Sequence, residues 1–354
     1  MMKKNEIVFV GMSGGVDSSV TAALLKEQGY DVVGVYMKNW TKSLPGFDCP
    51  WKEDFQDAKR VAVQLGIDFK VFDFEKQYKH KVVDYMIDEF KAGRTPNPDI
   101  MCNQEVKFKL FLETCLEEGA DLMATGHYAR VKNGKMYQAK DKNKDQTYFL
   151  YRITEKALSK TLFPLGDYTK PEVRKLAKKF GLATAEKKES MGICFVGKVG
   201  IKEFLSQYVK TKPGQIIDES AGGRRQVIGE HDGAIFYTIG QRSGLGVGGG
   251  LPYYVTGKDM KKNEVYVTTN LDDKNLWYNE LNLTDMHWIN EVPQNGAKIQ
   301  VRTRHRAPLI DATLNIVSKD KAIIELKDEI RAATPGQSAV IYIKDLVIGG
   351  GIIK

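Results

Sequence analysis

Six consecutive residues near the start of the chain, Ser13-Gly14-Gly15-Val16-Asp17-Ser18, combine the groups that hold a phosphate. Glycines let backbone N–H groups approach an anion closely, and the Ser13, Ser18 and Ser19 hydroxyls add donors. The apolar run Ile7-Val8-Phe9-Val10 before them predicts a buried strand, and Val16, Val20, Ala23 and Leu24 share one helical face after it. Strand, glycine turn and helix start aim the positive end of a helix at one spot, which is an anion site. Asp17 would repel phosphates unless a cation lies between them, so the string implies Mg²⁺ at Asp17. A glycine turn with a capping Asp or Ser is the less specific reading of the same residues. A Walker loop is excluded, because no Lys-[Ser/Thr] follows the turn.

A second string, Pro96-Asn97-Pro98-Asp99-Ile100-Met101-Cys102-Asn103, carries a carboxylate and a thiol on a loop stiffened by two prolines. Asn103 is expected to cap a helix whose apolar stripe is Phe108, Phe111, Leu112, Cys115 and Leu116. Cys102 would then precede a helix N-terminus, where a thiolate is stabilised. Asp99 lies within reach as a proton-transfer group. A rigid turn with an incidental cysteine explains the string equally well. Cys115 reads as core filler and Cys49 as a loop thiol. Cys194, in Ser190-Met-Gly-Ile-Cys-Phe-Val-Gly197, is either a small hydrophobe in a short buried strand or a thiol on a segment whose glycines admit movement or a ligand. Two motif matches fail. Gly192 to Lys198 spells G-x-x-x-x-G-K, but Val199 replaces Ser or Thr. Gly244, Gly246 and Gly249 are followed at once by Pro252, with no helix opening there.

These residues need elements to hold them. Residues 5–130 alternate strand and helix: Asp31 to Met37 is a strand, Phe55, Ala58, Val61, Ala62 and Leu65 a helical stripe ending at Gly66, and Phe69 to Asp73 and Leu122 to Thr125 further strands. Such alternation predicts a parallel sheet with helices on both faces and ligands beyond the carboxyl ends of the strands. Met37 and Gly126, at strand ends, are therefore expected beside the Ser13 loop. Lys132-Asn-Gly-Lys135 predicts a hairpin turn, and residues 154–180 read as helical with Pro171 in a first turn. Residues 214–270 and 275–354 read as two small β-rich units. Arg302, Arg304 and Arg306 alternate along one expected strand and would either hold phosphates or form a solvated face.

The chain has 354 residues, 42% apolar and 28% charged, which suits a globular protein of two or three domains. Its net charge of +8 suits a polyanionic partner. No apolar run approaches membrane length and no signal-peptide core is present, so no membrane partner is expected. Four cysteines without C-x-x-C argue against zinc and for a cytoplasmic location.

The SGGxDS string resembles the signature of ATP pyrophosphatases, which split ATP into AMP and pyrophosphate. With Asn97-Pro-Asp99 and Cys102, Ala124-Thr-Gly-His127-Tyr, Lys144-Asp-Gln146, Gly192-Ile-Cys194-Phe and Thr334-Pro-Gly-Gln337-Ser in order, the chain resembles the tRNA-specific 2-thiouridylases from Gly11 to its C-terminus. That resemblance implies an α/β fold. A parallel-sheet ATP-pyrophosphatase domain, adenine nucleotide alpha hydrolase-like, would span residues 1–205. A small β-rich central domain at 206–272 and a C-terminal β-barrel-like, tRNA-binding domain at 273–354 would follow. It implies ATP at Gly11, Met12, Ser13, Gly14, Gly15, Val16, Asp17, Ser18, Met37 and Gly126. It implies Cys102 and Cys194 as the catalytic pair, with Cys194 carrying a persulfide supplied by an upstream sulfur donor protein. Asn97, Pro98 and Asp99 would meet the target base, the wobble uridine of tRNA, and His127, Lys144, Asp145, Gln146 and Gln337 would touch tRNA. Where the family has Arg-Tyr or Arg-Phe as a further tRNA contact, this chain has Arg304-His305, whose imidazole stacks more weakly on RNA. Two other readings stay open: another ATP pyrophosphatase, acting on a small molecule or making a different RNA modification, and a non-enzymatic nucleotide-binding module.

Overall fold

A computed structural model describes residues 6–43, 49–188, 200–220, 225–248 and 250–354. Seven of its strands lie in the first half of the chain: β1 (Ile7–Gly11), β2 (Asp31–Lys38), β3 (Asp68–Asp73), β4 (Leu122–Ala124), β5 (Ala129–Lys132), β6 (Lys135–Gln138) and β7 (Thr161–Leu162). Five of these form a parallel sheet in the order β3-β2-β1-β4-β7. Strand β1 explains the two-sided packing. Val8 and Val10 join Val20 and Ala23 of helix α1 (Val16–Glu27) in one core, while Phe9 joins Phe111 and Met123 in another. An alternating buried strand of this kind needs helices on both faces. From β1 the chain steps out to β2 and β3 on one side and later to β4 and β7 on the other. The crevice between β1 and β4 is therefore the switch point where such sheets take ligands. Helix α2 (Trp51–Leu65) ends at Gly66 in the left-handed conformation, φ 56°, as the stripe predicts.

Four strands, β8 (Gly214–Asp218), β9 (Gln226–His231), β10 (Tyr254–Asp259) and β11 (Glu264–Thr268), build a second sheet around Ile216, Val255, Val265 and Val267. The last six, β12 (Trp277–Trp288), β13 (Ala297–Arg302), β14 (Ile310–Ser318), β15 (Lys321–Arg331), β16 (Ser338–Ile343) and β17 (Leu346–Ile353), run in the order β12-β15-β14-β13-β16-β17 and close by pairing β12 with β17. The barrel interior is filled by Leu283, Val301, Leu314 and Ile324, and closure removes its exposed edges. The β5–β6 hairpin turns through Asn133 and Gly134, both at positive φ, and β6 pairs with β17 at Tyr137 and Leu346. The first unit thus contributes a hairpin to the third unit's sheet, and the Arg130–Asp345 ion pair at 2.7 Å pins it there.

Three local expectations are corrected. Residues 154–180 are not one helix. A turn of helix at Glu155–Leu158, capped by Thr154, gives way to β7 and then to a helix at Lys170–Lys179. Pro164 lacks the N–H a continuing helix needs. Pro171 does sit in a first turn, behind a Thr169/Glu172 capping box. Arg302, Arg304 and Arg306 do not share a strand: β13 stops at Arg302, and Arg306 is in the left-handed region at φ 63°. The helix expected after Asn103 begins earlier. Asn97 caps it, its Oδ1 accepting the Ile100 N–H at 3.3 Å, and Pro98 opens it. It runs over residues 98–117, with wide i→i+5 turns from Cys102 to Phe111.

Candidate functional site

The Ser13 loop folds on its own residues. Ser18 Oγ accepts the Ser13 N–H at 3.1 Å and donates to Gly15 O at 3.1 Å, and Ser19 Oγ donates to Gly15 O at 2.8 Å. Gly14 has φ +73°, and a Cβ there would lie 2.3 Å from Asp54 O, so only glycine fits. No side chain caps α1, which leaves its first N–H groups for a ligand. From the other side of the crevice β4 delivers Gly126, where a Cβ would lie 2.8 Å from Ser18 N. The expected nucleotide residues Gly11, Ser13, Asp17, Ser18, Met37 and Gly126 share a pocket of about 200 Å³. Met12 and Val16 are buried beneath it, at 1% and 4% exposure, and support the loop through packing.

Asp17 carries a partner that sequence reasoning missed. Lys170 Nζ contacts both carboxylate oxygens at 2.8 Å, and Tyr128 donates its hydroxyl to Oδ1 at 2.9 Å. The Lys170–Lys179 helix packs on α1, and its capping box fixes Lys170 at the first helical position. A lysine beside the phosphate loop is therefore present, contributed from 153 residues further along the chain. Thr169-Lys-Pro-Glu172 was readable as a helix start, but nothing in it points to Asp17. The cation expected of Mg²⁺ alone is here an ammonium. Among the described residues no group of three or more His, Cys, Asp and Glu side chains could hold a metal ion. Asp17 fits at most the single protein ligand of a cation carried by phosphates.

Lys107, His127 and Gln146 line the same pocket. His127 bonds Thr125 Oγ1 through Nδ1 at 2.8 Å, and Lys107 Nζ lies 3.5 Å from Nε2. Burial, with the Lys107 charge, holds the imidazole well below its usual range, so it is neutral at pH 7. Lys107 also acts on Asp99. Burial raises that carboxyl, and the lysine charge opposes the rise. Lys107 thus lines the Ser13 pocket while its charge is felt at Asp99, which sequence reasoning did not foresee. Asp99 and Cys102 lie three residues apart in the first turns of one helix, hence on neighbouring positions of its surface. Cys102 is buried inside the helical run, not ahead of its N-terminus, so the expected stabilisation of a thiolate by the helix end is not supported. Cys115 is fully buried and Cys49 half-buried, and burial raises both thiols. Cys194 lies outside the described residues.

Three family models match in succession: "tRNA methyl transferase HUP domain" at residues 6–198, "tRNA methyl transferase PRC-barrel domain" at 202–269 and "Aminomethyltransferase beta-barrel domain" at 278–353. Full-length relatives carry one name. The chain is 48% identical over 360 residues to a tRNA-specific 2-thiouridylase of Limosilactobacillus reuteri, covering 98% of this chain and 94% of the relative. It is 47% identical over 353 residues to that of Bacillus subtilis, with the same coverage. The chain belongs to the tRNA-specific 2-thiouridylase family.

The residues that membership of the 2-thiouridylases would send to tRNA fall into two groups. Arg304 keeps an exposed side chain, one nitrogen of which donates to Ala332 O at 2.9 Å and Thr334 Oγ1 at 3.2 Å. Lys144 is half-buried. The others face inward. Asp145 is 1% exposed; its carboxylate accepts from Ala139 N, Thr147 Oγ1 and Arg302 Nη1, so it joins the first unit to the barrel. Arg302 is likewise buried, paired with Asp145 at 3.2 Å. Gln146 accepts the Tyr128 N–H inside the nucleotide pocket that His127 also lines. His305 rests on Phe149 with ring centroids 4.6 Å apart, and burial beside Arg306, Arg302 and Lys144 pushes it down to about 4, so it brings no charge to RNA at pH 7. Gln337 turns its amide to the Thr95 and Pro96 carbonyls.

Proposed function

We propose that this chain thiolates C2 of the wobble uridine of tRNA in two stages, adenylation at the Ser13 pocket and sulfur transfer through Cys194 and Cys102. As a 2-thiouridylase it is an ATP pyrophosphatase that 2-thiolates tRNA; the residue roles that follow are inferred. The observation that carries them is an anion pocket at the switch point of the sheet, lined by Lys107, with the half-buried Asp99 carboxyl on the same helix as Lys107 and one turn from a buried cysteine.

Uracil O2 is a poor leaving group. Its attack on the α-phosphorus of ATP makes an O-adenylated base and expels pyrophosphate. The α1 N–H groups, the Ser13 and Ser18 hydroxyls and Lys170 stabilise the departing charge. A Mg²⁺ carried by the ATP phosphates would have Asp17 as its protein ligand and would neutralise part of their charge, leaving Lys170 to pair with phosphate. Asn97, Pro98 and Asp99 receive the base, which must leave its stack to reach them. A donor protein of the cytosol loads Cys194 as a persulfide. Its terminal sulfur attacks C2; the C–S bond forms, and the C–O bond to AMP breaks. The Cys102 thiolate then attacks the Cys194 sulfur of the resulting bridge. Thiouridine leaves with its sulfur, and a Cys102–Cys194 disulfide remains for an external thiol reductant. Asp99, with its raised pKa, exchanges the protons. Arg304 and Lys144 contact the RNA backbone.

The test is to supply tRNA, ATP and a labelled persulfide donor, then analyse nucleosides and nucleotides. The proposal expects 2-thiouridine with equimolar AMP and pyrophosphate. Release of ADP and phosphate, or sulfur at another position, overturns it.

A further inference from the structure

Among the described residues lining the nucleotide pocket, Lys107 is the one lysine or arginine. It comes neither from the Ser13 loop nor from α1. It belongs to the helix over residues 98–117, whose first turns carry Pro98, Asp99 and Cys102. The winding of that helix decides where Lys107 stands. In a regular α-helix, a residue five positions after Cys102 is turned about 140° away from it. The turns from Cys102 to Phe111 are wider, i→i+5, and wider turns shrink that angle. Lys107 is thereby brought round toward the side of Cys102, and its side chain lines the pocket.

His127 holds the end of the side chain. Lys107 Nζ lies 3.5 Å from His127 Nε2, and His127 Nδ1 lies 2.8 Å from Thr125 Oγ1. An ammonium can only donate, so Nε2 accepts, the ring proton is on Nδ1, and Thr125 Oγ1 receives it. Phe108 and Phe163 flank the imidazole, with ring centroids 5.6 Å and 6.2 Å from it. A neutral acceptor of this kind orients the ammonium without taking up its charge.

We infer that Lys107 is a catalytic residue of the adenylation step, its ammonium contacting a non-bridging oxygen of the ATP α-phosphate. This rests on the proposed thiolation. In that reading the uncapped start of α1 and the Ser13 and Ser18 hydroxyls hold the departing pyrophosphate, and Asn97, Pro98 and Asp99 receive the base. The α-phosphorus must lie in line between the two. Lys107 enters the pocket from the helix that carries the base-receiving residues, so it reaches that middle position. Uracil O2 forms a bond to the α-phosphorus. The bond from the α-phosphorus to the bridging oxygen breaks, and its electron pair leaves on pyrophosphate. The uracil N3 proton passes to Asp99. The lysine keeps its own proton and stabilises the negative charge on the α-phosphoryl oxygens through the transition state.

The test is single-turnover, tRNA-dependent pyrophosphate release at saturating ATP and tRNA. It is run with ATP and with the Rp and Sp forms of ATP that carry sulfur at a non-bridging α-position. Lys107→Met is expected to slow release from ATP by on the order of a hundredfold, with ATP and tRNA affinity within about threefold. Lys107→Arg keeps a positive charge and is expected to recover about tenfold of that loss. The ratio of Rp to Sp rates is expected to change by about tenfold in Lys107→Met, because a contact that tells the two oxygens apart is gone. A smaller change is expected in Lys107→Arg, which also serves as the readout if Lys107→Met does not fold. A slower rate with the Rp to Sp ratio of the unsubstituted protein means that Lys107 only supports the pocket, and overturns the inference. An unchanged rate, or weaker ATP binding with a normal rate at saturation, overturns it as well. No pyrophosphate from the unsubstituted protein would instead overturn the proposed adenylation itself.

Discussion

The nucleotide pocket and the loop at residues 94–98 solve the same problem, holding a backbone in one shape, by different means. The Ser13 loop of the pocket takes its shape from neighbours in sequence: Ser13, Gly15, Ser18 and Ser19 bond one another across at most five residues. The loop takes its shape from Thr238 and Gln337, 143 and 242 residues from Thr95. A locally closed loop keeps its form whatever the outer domains do. A loop closed from afar reports their position. In a two-stage reaction this separates an activation site that is always formed from a transfer site that depends on how the domains meet.

The largest effect expected at the pocket comes at Asp17 and Lys170, where a long-range contact is laid on the locally closed loop. Asp17→Asn removes the carboxylate whose two oxygens Lys170 contacts, and Lys170→Met removes the ammonium beside the phosphate loop. Each is expected to lower tRNA-dependent pyrophosphate release by on the order of a hundredfold, with tRNA affinity unchanged. A steady-state pyrophosphate assay beside a tRNA binding curve reads both. Loss of tRNA affinity in either variant would mean that this contact also shapes the RNA-binding surface.

The next effect tests the joint on the long-range side. Arg302→Met leaves the Asp145 carboxylate, 1% exposed, without its cation. Removing one partner of a buried ion pair costs about 3–5 kcal/mol, so thermal unfolding is expected to shift down clearly. A melting temperature like that of the unsubstituted protein would show that the barrel and the first unit do not depend on this contact.

How these features could be read from the sequence follows the same division. Ser13 to Ser18, Gly66 and the Asn133-Gly134 turn are short-range chemistry, and each forms as the residues suggest. The helix starts ahead of Asn103 because Asn97 followed by Pro98 is the stronger cap signal. Lys170 on Asp17, Lys107 between the pocket and Asp99, and Arg302 on Asp145 are contacts between elements. Nothing in local spacing announces them. The arginine alternation misled because a period of two presumes a strand, and β13 ends at Arg302.

The smallest effect concerns His305. Its folded pKa is pushed down to about 4, against an ordinary value of about 6.5. Between those values the unfolded chain binds more protons, so this residue favours unfolding as pH falls through the window, and stability rises with pH across it. His305→Phe is expected to flatten the dependence of the melting temperature between about pH 4 and 6.5. The change is read as a difference between the two proteins, since buried His127, His231 and His287 shift in the same direction. An unchanged slope would mean that His305 does not stay neutral on Phe149.

The account stands on the separation of activation from sulfur transfer, and Cys194→Ala tests that most directly. With tRNA, ATP and the persulfide donor in a single turnover, pyrophosphate and thiouridine are measured in the same sample, and Cys115→Ser serves as the control for a buried thiol. The predicted result is up to one equivalent of pyrophosphate and no thiouridine from Cys194→Ala, with both products from Cys115→Ser. Thiouridine made by Cys194→Ala, or loss of pyrophosphate release from that folded variant, would contradict it.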